Sequence, residues 1–188
     1  MQVQAQDADL LNRIKATNSQ IKSFEADLSN TMIKPKKTTT QEGKLYFVAP
    51  KEFAALFFNE KYMIVNASRI KMDIGMFNGT FRLRDGGMMQ SLSNIFLYGF
   101  QGLVQQLADE NGYSVATETE GSLHVITCTI IKKKLIGIGY KQVIFKYQTG
   151  SLLLKEIVLC DYSGNRDIYT ISNVKYDIAI DPNTFATN

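Results

Sequence analysis

With 188 residues, the chain is long enough for one domain that buries roughly 70% of its unfolded surface. Its net charge of +3 is small and the basic residues are scattered, which argues against a nucleic-acid-binding protein. No stretch of about eighteen consecutive apolar residues is present, so we predict no membrane-spanning helix. The basic clusters at residues 34–37 and 132–134 favour exposed hairpin turns or, alternatively, surfaces that steer the protein toward an anionic partner.

The amino terminus carries the tripeptide Val3-Gln4-Ala5, which has the small-residue character of a signal-peptidase site. No charged region and no apolar region precede it. We interpret residues 1–6 either as a signal-peptide remnant of an exported protein or as a flexible polar tail. Residues 7–188 are predicted to form a single domain.

A helix is predicted to open the domain. Asp7 and Asp9 favour a helix N-terminus, and Leu10, Leu11 and Ile14 follow at helical spacing. The pattern indicates a helix of about twelve to fourteen residues with one apolar stripe.

Alternation of apolar and polar residues begins near Ile21 and dominates the rest of the chain. Phe24, Ala26 and Leu28, for example, alternate with polar or charged residues. A period near two is typical of antiparallel strands with one dry face, so we predict a large antiparallel sheet. Pro50 interrupts the pattern because proline cannot donate a ladder hydrogen bond. The strands predicted after the first hairpin are 42–48, 52–58, 61–67, 69–75, 79–84, 113–119, 123–131, 140–148, 152–160, 166–173 and 174–180.

A second helical stretch is predicted over residues 91–111, with Ser91 or Ser93 as its N-cap. Apolar residues surround much of its circumference, while Gly99 and Gly102 each cost roughly 1 kcal/mol relative to alanine. This stretch is therefore either a helix buried between the sheet and loops or a mobile lid over an apolar hollow.

Residues 53–58 depart from the alternation, because apolar side chains point to both faces of the strand. Core packing on one face and a helix or sheet edge on the other accounts for this pattern. Methionines, which adapt to variable apolar shapes, are concentrated nearby and favour either core filling or a lipid-like ligand. These are Met63, Met72, Met76, Met88 and Met89.

The sequence contains no recognisable catalytic motif. His124 and Cys128 would lie about 13 Å apart on one strand, which is too far for a nucleophile–base pair. Cys128 and Cys160 are predicted on strands separated by a third strand, about 9.6 Å apart, which excludes a disulfide. We therefore predict a non-enzymatic protein with no catalytic residues, no metal and no cofactor.

The order of the elements and several segments resemble the bacterial outer-membrane lipoprotein carrier (LolA-like) family. The first segment is residues 23–29, SFEADLS, and the second is residues 41–50, QEGKLYFVAP, followed by Phe53. Residues 95–107 resemble the central helical segment of the family, and residues 176–185 resemble its last strand and closing phenylalanine. The likeness covers nearly the whole chain in order and spacing.

The resemblance implies a mainly β (α+β) fold, namely an incomplete antiparallel β-barrel of about eleven strands with a helical lid over a hydrophobic cavity. It also implies a monomeric periplasmic carrier. Such a carrier would take acyl chains of lipoproteins from an inner-membrane donor complex to an outer-membrane acceptor. The family's arginine before the proline, which ties barrel to lid by hydrogen bonds, is Ala49 here, and a family tryptophan is Ala55. The closed lid of this chain must then be held in another way, for example by apolar contact alone, or the ligand differs.

We expect the concave face of the sheet to be too apolar to be sealed by its own side chains, so that a guest hydrocarbon completes it. An alternative keeps the fold but makes the protein a receptor or sensor for another amphiphile or for a protein partner. The predicted ligand-binding residues of the hydrophobic cavity are Phe24, Phe47, Phe53, Phe57, Met63, Val65, Met72, Phe96, Phe100 and Leu103.

Overall fold

The computed structural model describes residues 2–74, 77–131 and 139–187, so Met76 and the basic cluster at 132–134 lie outside the described residues. The helices are α1 (Gln2–Asn18), α2 (Met88–Gln101) and α3 (Val104–Asn111), and a 3-10 helix spans Pro182–Phe185. The strands are β1 (Ser23–Lys34), β2 (Lys37–Val48), β3 (Glu52–Phe57), β4 (Tyr62–Asn66), β5 (Arg69–Ile74), β6 (Phe77–Arg82), β7 (Tyr113–Glu120), β8 (Leu123–Ile130), β9 (Tyr140–Gln148), β10 (Leu154–Asp161) and β11 (Arg166–Tyr176). Within the described residues, no helix has both the length and the apolar character needed to span a membrane.

All eleven strands form one antiparallel sheet in the order β6-β5-β4-β3-β2-β1-β11-β10-β9-β8-β7. Among the described residues the sheet does not close, because β6 and β7 lie at its two edges. The helices α2 and α3 connect these two edge strands along the chain. The predicted incomplete antiparallel barrel with a helical lid is therefore confirmed.

A row of apolar side chains crosses the concave face of the sheet. Phe24 of β1 is paired with Phe47 of β2, which is paired with Phe53 of β3, which is paired with Val65 of β4. All four side chains are buried. Because successive side chains of a strand point to opposite faces, the alternation read from the sequence places the core between this face and the helices.

β3 buries side chains on both of its faces. Phe53 belongs to the main core, whereas Ala54 is fully buried but lies outside that core. The 3-10 helix contacts β3 and β4, its Phe185 is buried, and the carbonyl oxygen of Phe185 accepts a 3.0 Å hydrogen bond from Nδ2 of Asn66. The second apolar face of β3 is therefore covered by the C-terminal 3-10 helix, as expected for a strand with a helix on its outer side. Phe58, just beyond the strand, is 74% exposed.

The single helix predicted over residues 91–111 is wrong, because the chain forms two helices there. Gly102 adopts a left-handed conformation with φ of 69° and ends α2. A Cβ atom at this position would lie 2.7 Å from the carbonyl oxygen of Ile14, so only glycine lets α1 approach so closely. Gly102 therefore both ends α2 and leaves room for the backbone of α1.

The predicted starts of both long helices also differ from the structure. α1 has 17 residues and begins at Gln2, so it is longer than predicted. α2 begins earlier than expected, with Gly87 as its N-cap. Oγ of Ser93 donates a hydrogen bond to the carbonyl oxygen of Met89 one turn earlier, and it does not cap the helix.

The end of the sheet is a further correction. The strands predicted at 166–173 and 174–180 are one strand, β11, which ends at Tyr176. Asp177 adopts a left-handed φ of 54°, which ends the extended conformation. Its backbone N–H donates to the carbonyl oxygen of Ser23 at 2.9 Å, and residues 178–180 have left the sheet.

Candidate functional site

The helix α2 fills the concave side of the sheet with two phenylalanine rings. The ring centroid of Phe100 lies 5.4 Å from that of Phe24, 5.3 Å from that of Phe47 and 5.7 Å from that of Phe53. Phe96 lies 5.3 Å from Phe53. Such aromatic pairs contribute about 0.5–1.5 kcal/mol beyond the burial of their area. This packing fixes α2 against the row of apolar side chains on β1, β2 and β3.

Two hydrogen bonds tie the last turn of α2 to opposite halves of the sheet. The phenol of Tyr147 on β9 donates to the carbonyl oxygen of Gly99 at 2.8 Å, and both groups are buried. Nε2 of Gln101 donates to the carbonyl oxygen of Pro50, in the β2–β3 turn, at 3.0 Å. Although Ala49 cannot supply a latch, the lid is therefore not held by apolar contact alone. Burial raises the pKa of Tyr147 well above its ordinary value, so its phenol remains a hydrogen-bond donor.

Apart from these contacts, the N-terminal end of α2 carries little stabilisation of its own, whereas its C-terminal end is capped by Gly102, beyond which the N–H groups of Gly102 and Leu103 donate to the carbonyl oxygens of Gly99 and Tyr98. Its N-cap, Gly87, provides no side-chain hydrogen bond. The first turn contains no acidic residue and the last turn no basic residue, so the helix dipole is not compensated. The position of α2 depends mainly on its packing against the sheet.

Nine of the ten residues predicted to form a cavity wall lie together in one buried core cluster. They are Phe24, Phe47, Phe53, Phe57, Met63, Val65, Met72, Phe96 and Phe100. The tenth, Leu103, is half-buried at the junction between α2 and α3 and lies outside this cluster. Contact of these residues with a ligand remains a prediction.

The interior next to these residues is almost completely filled. A void of about 10 Å³ touches Phe24 and Phe100. A volume of this size holds no more than about one water molecule. The expectation that a guest hydrocarbon is needed to complete the interior is corrected. The rings of Phe96 and Phe100 on α2 fill the concave side of the sheet instead.

A groove of about 1000 Å³ lies on the face of α2 that points away from this interior, and we call it the outer groove. Leu97, Tyr98 and Gln101 of α2 line it. Leu83, which follows β6, and Tyr113, the first residue of β7, line it as well. The outer groove therefore extends between the two edges of the sheet, along the open side of the barrel.

The polar wall of the outer groove is organised by hydrogen bonds. The phenol of Tyr98 donates to Oε1 of Glu110 at 3.1 Å, and Nε2 of Gln106 donates to the same carboxylate at 2.9 Å. Burial, together with Glu110, raises the pKa of Tyr98 to about 12. The tyrosine therefore presents a neutral phenol at physiological pH.

The groups with catalytic potential are dispersed. Cys128 on β8 and Cys160 on β10 are buried, unbonded and separated by β9, as predicted. Burial raises the pKa of the Cys128 thiol to about 12, which makes it a poor nucleophile. Nδ1 of His124 lies 3.2 Å from Oγ1 of Thr119 in an ordinary strand pairing. Among the residues that the structure describes, no histidine, cysteine and carboxylate groups cluster as metal ligands would.

No family model and no curated protein matches this chain. Solved structures do. The chain is similar to a DUF1329 family protein from Desulfovibrio piger ATCC 29098, with 14% identity, coverage of 98% and 97% of the two chains and a TM-score of 0.51. It is similar to a domain assigned to outer membrane lipoprotein sorting in Vibrio parahaemolyticus, with 9% identity, 94% coverage of both chains and a TM-score of 0.50. A LolA superfamily protein from Nitrosomonas europaea matches with 10% identity, 95% and 96% coverage and a TM-score of 0.47.

With the two structures at TM-scores of 0.51 and 0.50 the chain shares its fold, and the predicted resemblance to the LolA-like family is confirmed at the level of the fold. At such identities the likeness concerns the fold alone.

Tyr147 and Gln101, which position α2, were not predicted from the sequence. A signal for Tyr147 was available, because it continues the inward-facing series Val143 and Phe145 on β9, where a hydroxyl needs a partner. For Gln101 the sequence carries no such signal, because its acceptor at Pro50 belongs to a distant turn.

Proposed function

We propose that this protein is a periplasmic, non-enzymatic carrier that binds acyl chains of lipoproteins between its curved sheet and α2. The observation that supports the proposal is the way α2 fills the concave face with Phe96 and Phe100. If α2 withdraws, the space of these rings becomes a dry hollow with an aromatic wall. Burying an acyl chain is worth about 0.8 kcal/mol per methylene. A bound hydrocarbon can therefore replace the free energy of apolar burial that is lost when the two rings leave the concave face.

In this proposal the nine core residues described above form the wall of the hollow, and Leu103 lies at the hinge between α2 and α3. The weakly capped N-terminal end of α2 favours its displacement. A monomer would receive its cargo from an inner-membrane donor complex and release it to an outer-membrane acceptor, with no part played by nucleic acid.

The test is a matched pair of charged substitutions at neighbouring positions. Phe57→Asp places a carboxylate on the buried face of β3, whereas Phe58→Asp places the same charge at a residue that is 74% exposed. A synthetic diacylglyceryl-cysteine peptide serves as the probe, and its binding is measured by titration calorimetry and native mass spectrometry. Circular dichroism verifies that both variants are folded.

We expect the wild type and Phe58→Asp to bind the probe with one-to-one stoichiometry and Phe57→Asp to lose binding by at least about tenfold. Lipid that copurifies with the wild type should contain acylated lipoprotein. A wild type that binds no probe and copurifies with no lipid would reject the carrier.

A second candidate is a LolA-fold receptor or sensor for another amphiphile or a protein partner. The filled interior, with its void of about 10 Å³, favours this candidate, because a module that recognises its partner at the surface has no need to open. The same experiment separates the two, since a folded wild type that stays free of lipid and ignores the probe supports the receptor.

A further inference from the structure

We propose that one end of the sheet docks onto the surface of an anionic lipid bilayer. This end is formed by two neighbouring turns, β1–β2 and β10–β11, and by the adjacent ends of β8 and β9. We call it the basic rim, and its residues are Lys34, Lys36, Lys37, Ile131, Lys141, Tyr162 and Arg166. The proposal concerns an exposed end of the sheet and not its concave interior, so it does not depend on the proposed acyl site.

The register of the strands places these segments at the same height. Arg166, the first residue of β11, pairs with Ile33 of β1 on one side and with Cys160 of β10 on the other. Cys160 pairs with Gln142 of β9, which pairs with Thr129 of β8. Every residue of the basic rim lies within three positions of this row along its own strand or turn. Neighbouring turns are two strand spacings apart, about 10 Å.

The positive charge of the basic rim is not neutralised within the chain. All five of its lysine and arginine residues are exposed. In the part of the chain that the structure describes, none of them forms an ion pair. Lysines elsewhere on the sheet do, since Nζ of Lys44 lies 2.6 Å from Asp27 and Nζ of Lys146 lies 2.8 Å from Glu156. The basic rim therefore presents a cluster of cations that an anionic surface can neutralise.

The two carboxylates next to the basic rim are engaged by the protein itself. Oδ1 of Asp161 accepts hydrogen bonds from the N–H groups of Ser163 and Asn165 at 2.8 and 2.9 Å, which hold the β10–β11 turn. Asp167 is two positions from the buried Tyr169 and shares its inward face of β11. The outward surface of the basic rim is therefore mainly cationic.

Apolar side chains are exposed beside these cations. Ile131, just after β8, is 65% exposed, and Tyr162, in the β10–β11 turn, is 45% exposed. The other two large hydrophobic residues that are well exposed in the described chain are Phe58, on the shorter β3–β4 hairpin, and Met88, at the start of α2. Anionic headgroups attract lysine and arginine, while apolar and tyrosine side chains enter the boundary of the acyl region. The basic rim combines both kinds of group.

The shape of the basic rim favours an extended surface with an apolar layer. Tyr162 lines the outer groove, whereas the other six residues line neither that groove nor the interior void. A small anion is held by converging groups in a concavity, and a row of turns does not provide one. A nucleic acid is bound through its phosphates by cations, which leaves the exposed Ile131 without a role. A bilayer accepts both the cations and the apolar side chains.

The first experiment measures cosedimentation of the full chain with vesicles of phosphatidylcholine alone or with about 30% phosphatidylglycerol. Lys36→Glu/Lys37→Glu reverses two charges of the β1–β2 hairpin. Lys15→Glu/Lys22→Glu is the matched control, because it changes the net charge equally. Lys15 and Lys22 are exposed lysines, in the last turn of α1 and just before β1, away from the basic rim.

The second experiment measures insertion into the bilayer by tryptophan fluorescence, since the chain contains no tryptophan of its own. Ile131→Trp places a reporter on the basic rim. Met88→Trp is the control, because Met88 is an exposed apolar residue outside it. Only the emission of Ile131→Trp should shift to shorter wavelength when vesicles with phosphatidylglycerol are added.

We expect binding to the anionic vesicles that weakens as the salt concentration rises from about 50 to 300 mM. The affinity should fall by at least about tenfold in Lys36→Glu/Lys37→Glu and by less than about twofold in Lys15→Glu/Lys22→Glu. Phe57→Asp should bind vesicles as the wild type does, and Lys36→Glu/Lys37→Glu should keep its affinity for the diacylglyceryl-cysteine probe. A failure of membrane docking and a failure of the carrier are therefore distinguishable.

The proposal is overturned if the wild type does not bind the anionic vesicles or if both double variants lose the same affinity. An unchanged emission of Ile131→Trp on vesicle binding also overturns it. Binding of heparin without binding of vesicles would identify a soluble polyanion as the ligand of the basic rim in place of a bilayer.

Discussion

The phenol of Tyr147 and the carbonyl oxygen of Gly99 form a buried hydrogen bond of 2.8 Å that joins β9 to α2. Gly99 also makes the close approach possible. A Cβ atom at this position would lie 2.8 Å from Cε1 of Phe145 and 3.2 Å from Cδ1 of Ile157. Gly99 therefore lets α2 lie against the sheet in two ways. Its carbonyl oxygen accepts the hydrogen bond from Tyr147, and its missing side chain leaves space for Phe145 and Ile157.

Removing the Tyr147 hydroxyl should loosen α2 without removing its ring. In Tyr147→Phe the Gly99 carbonyl keeps its 3.3 Å bond from the Gly102 N–H, so we expect the free energy of unfolding to fall by about 1 kcal/mol. Hydrogen exchange of the amides in the last turn of α2 should become faster. Tyr46→Phe, at a half-buried tyrosine of β2, is the control and should leave this exchange unchanged. If the amides of the last turn of α2 exchange at the same rate in Tyr147→Phe and Tyr46→Phe, the Tyr147 hydroxyl does not hold α2 against the sheet.

Adding a methyl group at Gly99 should destabilise the protein even though alanine is the better helix former. We expect Gly99→Ala to cost about 1–3 kcal/mol in denaturant unfolding, because the fully buried Phe145 ring has no space to move. The double variant Gly99→Ala/Phe145→Leu should recover part of the loss, which a double-mutant cycle measures. A Gly99→Ala variant as stable as the wild type would show that α2 does not pack this closely.

Removing the Gln101 amide should open the lid from the other side. Gln101→Ala loses the hydrogen bond to Pro50, and we expect a decrease of about 1 kcal/mol in stability together with faster uptake of the diacylglyceryl-cysteine probe. Gln105→Ala is the control, because Nε2 of Gln105 donates to Oδ1 of Asp109 on the exposed face of α3 and not to the sheet. If both variants take up the probe at the wild-type rate, Gln101 does not restrain the lid.

Asp167 on β11 should make stability depend on pH. Burial raises the pKa of its carboxyl, the positive charge of Lys34 opposes this and the negative charge of Asp161 adds to it. Its Oδ1 atom has no hydrogen-bond partner among the described residues. A carboxyl whose pKa is higher in the folded state contributes stability below its unfolded pKa, near 3.8, and this stability is lost as the pH rises through the folded value.

We therefore expect Asp167→Asn to become more stable relative to the wild type as the pH rises from about 3.5 to 7. Thermal melts of both proteins across this range measure the difference. Asp85→Asn, at an exposed carboxylate, is the control. A difference between Asp167→Asn and the wild type that does not vary with pH would exclude the carboxyl as its source.

Strand placement was largely predictable, because it depends on local alternation. Phe24, Phe47 and Phe53 were each assigned to a dry face, and the register pairs them across three strands. The helical region was less predictable. Gly102 was interpreted as a weak point in one helix, whereas its left-handed conformation ends α2 against the backbone of Ile14, which lies far away in the sequence.

The candidate site, like the fold, was predictable where it depends on local alternation and unpredictable where it depends on tertiary contacts. Nine of the predicted wall residues are clustered. On the alternating strands the reason is that an apolar residue has only one dry side available, whereas on β3, where both faces are apolar, the pattern did not decide which face joins this cluster. The sequence could not show that Phe96 and Phe100 would occupy the hollow themselves. That outcome depends on how closely α2 approaches the sheet, which Gly99 and Tyr147 decide together.

The order of apolar and polar residues, taken alone, determined that this chain forms a large one-sided antiparallel sheet with helices over it. The reason is that the two periodicities, near two and near 3.6, are local properties of the backbone. Only the tertiary structure decided what occupies the concave face and where the open space lies. Contacts such as those between Gln101 and Pro50 join segments whose separation in the sequence carries no information about their distance in space.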